Sequence, residues 1–413
     1  MVRRPLERFL HTEAASGVLL LMTAAVALVW ANSSFAASYH KVWHTSLSIN
    51  ISAFTFERSL EWFVNDVLMV IFFFVVGMEI RRELYQGELS EWRRAVLPAA
   101  AALGGMVAPA ILYLVVAGAP ETHSGWGVPM ATDIAFAVGI LTLLGKRVPP
   151  ALRVLLLALA VIDDLGAIVV IALFYSSGIA ISGLLVAALG VLGIYAMKRL
   201  GVRTKLVYVL PSMVLWAGIY AAGIHPTIAG VIIGLMTPVL AETPRQADVA
   251  LHEAMSPAES LIGTLHPWVA FGIMPVFALA NAGVSLSGAA LDASSWRVVI
   301  GVTVGLLFGK PIGVLLATWL MLKLRIGTLP IGLTLRHLVV LGVVAGIGFT
   351  MALFVAKLAF ADDALLAAAK VGVLAASSAA AVIGLGLGRM FLAPVEVIGA
   401  AKTADEAESL TIA

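Results

Sequence analysis

The sequence is short of charge and contains no cysteine. Only 12% of its 413 residues are Asp, Glu, Lys or Arg, about half of the ~25% usual in soluble domains. A soluble fold of this size needs more polar groups to cover its surface, and a hydrophobic fraction of 61% excludes disorder. The lack of cysteine excludes disulfides and thiolate metal sites, and a net charge of +2 gives no sign of a nucleic-acid partner. An integral membrane protein is the class that remains.

The sequence contains long apolar segments, whereas a soluble protein alternates apolar and polar residues. A spanning helix needs about 20 mostly apolar residues, and twelve segments joined by short loops qualify. They are 12–31, 60–80, 95–118, 124–144, 151–175, 181–199, 205–222, 224–240, 261–284, 297–321, 336–360 and 364–389. The first apolar run lacks a clear small-residue cleavage site, so we expect a retained span. We predict an all-α polytopic membrane protein with one transporter domain over 1–394 and a polar cytoplasmic tail at 395–413.

The basic residues divide unevenly between the two sides of these predicted spans. Twenty of the 26 Lys and Arg residues fall on one side and five on the other, and Lys310 lies within a span. Because cytoplasmic loops carry the excess of basic residues, this division predicts that both termini are cytoplasmic.

The outer loop between the first two spans has a period of two. Apolar and polar residues alternate in 47–51 and 54–56, which is typical of short strands. We therefore predict a small β-hairpin, whose edge is suited to pairing with a second copy of the chain. A loop whose apolar residues lie on the bilayer surface is the alternative.

A few charged residues lie within or near the predicted spans, where a charge costs roughly 2.5–3.5 kcal/mol at the bilayer centre. They are Asp66, Glu79, Asp133, Asp163, Asp164 and Lys310. Asp163 and Asp164 are consecutive and follow eight apolar residues. Two adjacent carboxylates are expected to titrate as a coupled unit, and their oxygens suit a hard cation. The pair predicts exchange of protons for such a cation; a structural pair satisfied by hydrogen bonds and a base is the alternative.

Two predicted spans contain helix-breaking sequence near the middle. Thr132 and Asp133 follow Gly127 and Pro129 in one, and residues 342–350 bring together three glycines and a threonine in the other. Interrupted helices in corresponding positions of two halves indicate a transport site. Asp133 would offset positive helix ends, and Lys310 would offset negative ends or pair with Asp163 or Asp164. The alternatives are helix packing by a lone Asp, close packing by glycine, and snorkelling of the lysine side chain towards the membrane surface.

Six short motifs occur in order along the chain. They are Gly77-Met-Glu-Ile-Arg-Arg-Glu-Leu84, Ala131-Thr-Asp-Ile-Ala-Phe-Ala137, Val161-Ile-Asp-Asp-Leu-Gly-Ala-Ile168, Leu265-His-Pro-Trp-Val269, Ala280-Asn-Ala-Gly-Val284 and Gly309-Lys-Pro311. Together they resemble the NhaA family of bacterial sodium/proton antiporters from about residue 5 to residue 390. The resemblance implies inverted-topology repeats, about 95–175 and 297–389, with two broken crossing helices. It also implies a protein of the inner membrane that forms a homodimer through the 45–58 hairpin. Such a protein is not an enzyme and needs no cofactor.

The resemblance further implies electrogenic exchange of about two protons for one Na⁺ or Li⁺ by alternating access, for pH and sodium homeostasis. It assigns ion and proton binding to Asp163 and Asp164, with Thr132 as a further Na⁺ ligand and Asp133 and Lys310 in support. A cytoplasmic pH-regulating cluster would comprise four residues, Glu79, Arg82, Glu83 and His266.

One segment departs from the family pattern. Glu259, Ile262 and Gly263 stand where the family's best-known member has a Lys and a Glu-His pair. We therefore expect altered activation by alkaline pH. Three other functions are alternatives to antiport: an intramembrane aspartyl protease, a cation channel, and a cation- or proton-coupled transporter of another solute. The last is the nearest alternative.

Overall fold

The computed structural model describes residues 3–51, 54–176, 178–202, 204–239, 256–285 and 292–392, which are largely helical. The α-helices of this described part are α1 Arg3–Ala31, α2 Ala36–Trp43, α3 Leu60–Gln86, α4 Trp92–Ala117, α5 Ile134–Leu143, α6 Pro150–Phe174, α7 Ile181–Arg199, α8 Val209–Ala221, α9 Thr227–Met236, α10 Pro257–Asn281, α11 Ala293–Lys323, α12 Leu335–Ala345, α13 Phe349–Ala359 and α14 Asp363–Phe391. Short 3-10 helices are Glu88–Ser90, His123–Met130, Gly145–Arg147 and Lys205–Tyr208. Single π-helical turns lie within α3, α10 and α11, at Phe63–Leu68, Val269–Ile273 and Gly305–Gly309.

The apolar segments form helices, as expected for a membrane protein. All twelve predicted spans fall on helices, because only a helix satisfies its own backbone polar groups inside a bilayer. Among the described residues, seven helices are long and apolar enough to cross a membrane, and three bent helix pairs raise the number to as many as ten. The helices α8 and α9 are shorter apolar helices. A multi-pass, mainly α-helical membrane protein is thus confirmed, whereas the number of twelve spans stays a prediction.

Two of the bends lie where the sequence predicts interruptions. The 3-10 helix His123–Met130 meets α5 at 42°, and α12 meets α13 at 46°. The intervening residues, 131–133 and 346–348, leave the helical conformation. That each pair forms one broken span, and that the two cross within inverted repeats, stays a prediction.

The predicted β-hairpin is confirmed. Strands β1 Ser46–Ile51 and β2 Phe54–Ser59 pair antiparallel, with Ser46 opposite Ser59 and Ile51 opposite Phe54. The predicted polar tail, 395–413, lies outside the described residues.

The chain divides into two compact units. The first comprises Met1–Leu21, Arg93–Asp163 and Ala290–Ala413, and the second comprises Met22–Trp92 and Asp164–Ala289. Within the first unit, α14 packs against α11, α12 and α13. Gly104 on α4 and Gly313 on α11 lie so close that a Cβ on either would overlap the backbone of the other. Within the second unit, α7 packs along α8 and α9 packs along α3.

Candidate functional site

The side chain of Asp133 begins helix α5. Residues 131–133 follow Pro129, and Asp133 has the extended backbone of an N-cap residue. Its Oδ1 accepts a hydrogen bond from the Phe136 backbone N–H at 3.0 Å. Aspartate is favoured here because the first N–H groups of a helix have no partner within the helix. The local sequence therefore ends one helix and starts another inside an apolar segment.

The same carboxylate also binds the start of α13. Its Oδ2 accepts hydrogen bonds from the Thr350 backbone N–H, at 3.1 Å, and from the Thr350 hydroxyl. The Asp133 backbone N–H donates to the Ile347 carbonyl at 2.8 Å. One buried carboxylate thus faces the N-terminal ends of two helices, where a negative charge offsets the partial positive charge of each end.

The N-terminal end of α13 has a second hydrogen-bond acceptor, which sequence reasoning missed. Oγ of Ser377, on α14, accepts a hydrogen bond from the Phe349 backbone N–H at 3.0 Å. Ser377 is buried. Ser377 is one of two consecutive serines in a run of alanine, glycine, valine and leucine, and this gives no sequence signal of such a role.

Asp163 on α6 is fully buried and has two close polar neighbours. Its Oδ2 accepts a hydrogen bond from the Thr132 hydroxyl at 2.7 Å and lies 2.5 Å from Nζ of Lys310. Within the described part of the chain, its Oδ1 is buried and has no hydrogen-bond partner. The Thr132 hydroxyl also lies 2.9 Å from the Ala345 carbonyl at the end of α12, so its single proton is shared between two acceptors.

Lys310 is as deeply buried as Asp163. Besides its ion pair with Asp163, Nζ donates to the carbonyl of Met130, the last residue of a 3-10 helix. A cation at this end offsets the partial negative charge of the terminal carbonyl groups. Lys310 directly follows the π-helical turn Gly305–Gly309, and π-helical turns occur frequently at functional sites. The sequence left Asp163 and Asp164 as possible ion-pair partners of Lys310, and in the structure Lys310 pairs with Asp163.

Asp164 is also buried, with 3% of its surface exposed. It follows Asp163 on α6, so the two side chains leave the helix about 100° apart. The division between the two compact units falls between these two residues.

The oxygen atoms around Asp163 are of the type that binds hard cations. Carboxylate, hydroxyl and carbonyl oxygens are preferred by Na⁺-like ions over nitrogen or sulfur ligands. The Oδ1 of Asp163 is a buried acceptor left unsatisfied by the described residues, and such an atom is costly unless something binds it. The arrangement is able to hold either a cation or a proton.

The residues predicted to regulate pH response lie in the second unit. Oε1 of Glu79, on α3, is 4.0 Å from Nε2 of His266, on α10, and both side chains are about one-fifth exposed, at 19% and 18%. Oε1 of Glu83 accepts a hydrogen bond from the Glu88 backbone N–H at 2.8 Å, beyond the end of α3. Arg82 is half-buried on the same helix. The structure thus brings Glu79 and His266 together and gives Glu83 a capping role.

The segment that departs from the family pattern has a local structural role. Ser256 and Glu259 form a capping box at the start of α10: Oγ of Ser256 accepts from the Glu259 N–H at 3.1 Å, and Glu259 Oε2 accepts from the Ser256 N–H at 3.0 Å. Ile262 is buried. Gly263 faces open space as far as the described residues go, since a Cβ there meets none of their atoms within 4 Å.

The second unit contains another cluster of polar side chains, and the sequence predicted only part of it. Nε2 of His225 lies 3.5 Å from Oδ1 of Asp66, a residue that the sequence singled out. Beside Asp66 in the π-helical turn is Asn65, whose Oδ1 accepts a hydrogen bond from Nδ2 of Asn281 at 2.9 Å. Both asparagines are buried, and sequence reasoning gave them no role.

Comparison with known proteins identifies the family. A family model described as Na+/H+ antiporter 1 matches residues 7–387. The chain belongs to this family. It is 66% identical, over 440 aligned residues, to a Myxococcus xanthus protein named Na(+)/H(+) antiporter NhaA 2, covering 99% of this chain and 94% of that protein. A Sorangium cellulosum protein of the same name is 52% identical, with the same coverage of both chains. A Bordetella petrii protein named Na(+)/H(+) antiporter NhaA is 49% identical over 94% of this chain and 90% of its own length.

These matches confirm the resemblance that the motifs indicated. The family is one of transporters, so the prediction that the chain is not an enzyme is confirmed. The membrane-spanning helices and bacterial relatives agree with a multi-pass protein of the inner membrane.

Proposed function

We propose that this chain is a secondary active antiporter that exchanges Na⁺ for protons across the bacterial inner membrane, for pH and sodium homeostasis. Family membership and the names of the relatives support sodium/proton exchange. The observation that carries the proposal is the fully buried Asp163, which has one carboxylate oxygen paired with Lys310 and the other without a hydrogen-bond partner among the described residues. A buried carboxylate oxygen that accepts no hydrogen bond is costly, and a proton or a cation bound there would satisfy it.

Asp163 and Asp164 bind the transported ions. Na⁺ or Li⁺ entering from the cytoplasm takes oxygen ligands from the two carboxylates and from Thr132, and the carboxylates release their protons. Two protons given up for one cation make each cycle electrogenic, with one net charge moved. Asp133 and Lys310 support the exchange by stabilising the helix ends beside Thr132.

The site opens alternately to the two sides of the membrane. A cation that binds one state better than the other shifts the equilibrium between them, and protons bound on the opposite side return the protein to its first state. Interrupted helices suit this task, because their free ends place backbone groups at membrane depth.

Proton flux in proteoliposomes tests the function. Purified protein is reconstituted, and internal pH is followed after Na⁺, Li⁺, K⁺ or choline is added. We expect flux with Na⁺ and Li⁺ that responds to an imposed membrane potential. Flux driven only by a different solute would instead establish the alternative, a cation- or proton-coupled transporter of that solute. Currents far above transporter turnover would establish a channel.

Substitution tests the assignment of the site. Asp164→Asn should abolish cation-dependent proton flux while the protein still folds and reconstitutes. Asp363→Asn, an exposed acid in the first turn of α14, is the matched control and should retain flux. Full activity of Asp164→Asn would refute the assignment.

The hairpin is the proposed site of homodimer formation. Each strand of the two-stranded sheet has one edge that pairs with no other strand of the described part of the chain, and such an edge readily pairs with another chain. Light scattering of the detergent-solubilised protein should give a dimer for the full chain and a monomer after deletion of residues 47–58. A dimer that persists in the deletion variant would place the interface elsewhere.

The orientation of the termini follows from the positive-inside rule. Because the sequence has no cysteine, a single cysteine introduced near either terminus reports its side without background labelling. In intact cells, both positions should resist a membrane-impermeant thiol reagent and react only in inside-out vesicles.

A further inference from the structure

The N-terminal end of α13 is held from two directions. The Phe349 backbone N–H donates to Oγ of Ser377 at 3.0 Å, and the Thr350 backbone N–H donates to Oδ2 of Asp133 at 3.1 Å. The first N–H groups of a helix have no partner within the helix, so at a buried end each needs an acceptor from elsewhere. Asp133 supplies one and Ser377 supplies the other.

Ser377 stands alone on its face of α14. It is 2% exposed, and the other buried residues of α14 are aliphatic or glycine. A hydroxyl buried among apolar groups costs stability unless it forms hydrogen bonds, so its presence points to the bond with Phe349. The next residue, Ser378, is exposed.

The capped end connects directly to the oxygen atoms around Asp163. Just before α13, the Ile347 carbonyl accepts from the Asp133 backbone N–H at 2.8 Å. Two residues further back, the Ala345 carbonyl lies 2.9 Å from the Thr132 hydroxyl, which in turn lies 2.7 Å from Oδ2 of Asp163. A shift of the first turn of α13 would therefore move the Thr132 oxygen relative to the Asp163 carboxylate.

We propose that Ser377 is a positioning residue for ion exchange. It holds the start of α13 in place, and thereby sets the distance between the Thr132 hydroxyl and Asp163, without touching the transported ion. The role rests on the proposed antiport function. Ser377 therefore affects the affinity of the site for the cation, whereas the release of protons and the reorientation of the site do not depend on it.

The test compares three variants of Ser377 with a control on the same helix. Ser377→Ala removes the acceptor, Ser377→Thr retains it, and Ser377→Cys replaces it with a weaker one. Ser378→Ala removes an exposed hydroxyl one residue away. Each protein is reconstituted, and the KM and kcat for Na⁺-driven proton flux are measured together with hydrogen exchange of the amides in residues 346–352.

We expect Ser377→Ala to raise the KM for Na⁺ about fivefold, which corresponds to the ~1 kcal/mol of stability typically lost with a helix-capping hydroxyl, with little change in kcat. Amide exchange at Phe349 should rise in the same variant. Ser377→Thr should restore both quantities, Ser377→Cys should be intermediate even if the alanine variant does not fold, and Ser378→Ala should behave as the unmodified chain.

Two results would overturn the inference. One is a KM in Ser377→Ala and Ser377→Cys equal to that of the unmodified chain. The other is an equal rise in KM in Ser378→Ala, which would show a general effect of α14 packing. Absence of Na⁺-driven flux in the unmodified chain would instead refute the antiport function, and hydrogen exchange at Phe349 would then still decide whether Ser377 holds α13.

Discussion

Lys310 and Asp163 form a fully buried ion pair, with Nζ and Oδ2 2.5 Å apart. Removing one member of such a pair leaves an uncompensated charge, which typically costs about 3–5 kcal/mol of stability. We therefore predict that Lys310→Gln lowers the free energy of unfolding by that order, and that adding Asp163→Asn recovers most of the loss. Thermal unfolding in detergent measures both variants.

Lys323→Gln is the control for this pair. Lys323 lies in the last turn of the same helix, with its Nζ 4.7 Å from the centre of the Trp319 ring. We expect a change within about 1 kcal/mol, since exposed cation–aromatic contacts contribute that much or less. A Lys310→Gln protein as stable as Lys323→Gln would show that the ion pair contributes nothing.

Asp133 is predicted to matter more than an ordinary helix cap. Asp133→Ala leaves buried N–H groups of two helices without acceptors, at about 1–3 kcal/mol for each. Asp362 is the matched comparison, because it caps only the exposed start of α14, accepting from the Ala364 and Leu365 N–H groups. Asp362→Ala should cost only about 1 kcal/mol. Equal losses in the two variants, measured by thermal unfolding, would contradict the double-capping role.

The hydrogen-bonded pair Asn65–Asn281 should show coupled effects on stability. The loss in the double variant should be smaller than the sum of the losses in the two single variants. Asn281→Leu deprives the buried Asn65 carbonyl oxygen of its donor and should cost about 1–3 kcal/mol. Replacing both asparagines with leucine removes both unsatisfied groups, so the double variant should be more stable than Asn281→Leu alone. A complete double-mutant cycle checks this, and losses that simply add would refute the coupling.

The pH response should become steeper when an imidazole is added to α10. Gly263 faces open space one turn before His266, which lies beside Glu79. Gly263→His places a second titrating group on this surface, so activity should change more sharply between about pH 6 and pH 9. Gly263→Gln adds a polar but non-titrating side chain at the same position and should leave the profile unchanged. Identical profiles for the two variants would show that this surface does not sense pH.

The sequence predicted the membrane class, the positions of the helices, the hairpin and the buried charges because each depends on local composition and periodicity. It placed Asp133 beside positive helix ends because Gly127 and Pro129 indicate a break in the helix and a carboxylate offsets the charge of such ends. The bond from Asp133 to Thr350 joins residues 217 positions apart, and nothing local specifies such a pairing.

Other features lay beyond what a single sequence specifies. The π-helical turn before Lys310 depends on which carbonyl each N–H selects, and that choice follows from packing rather than from residue type. Ser377 carries no signal, because a serine in an alanine-rich helix usually packs without a specific role. The number of spans is equally hard to fix, since α8 and α9 are short for membrane helices.

The null point of transport tests the central claim most directly. With the membrane potential held at zero, Na⁺ and proton gradients of the same direction, whose driving forces on an antiporter oppose each other, are imposed on proteoliposomes until net proton flux vanishes. Exchange of two protons for one Na⁺ predicts that flux stops when the Na⁺ ratio equals the square of the proton ratio. A null point where the two ratios are equal would contradict electrogenic exchange, and proton flux independent of Na⁺ at every ratio would contradict antiport itself.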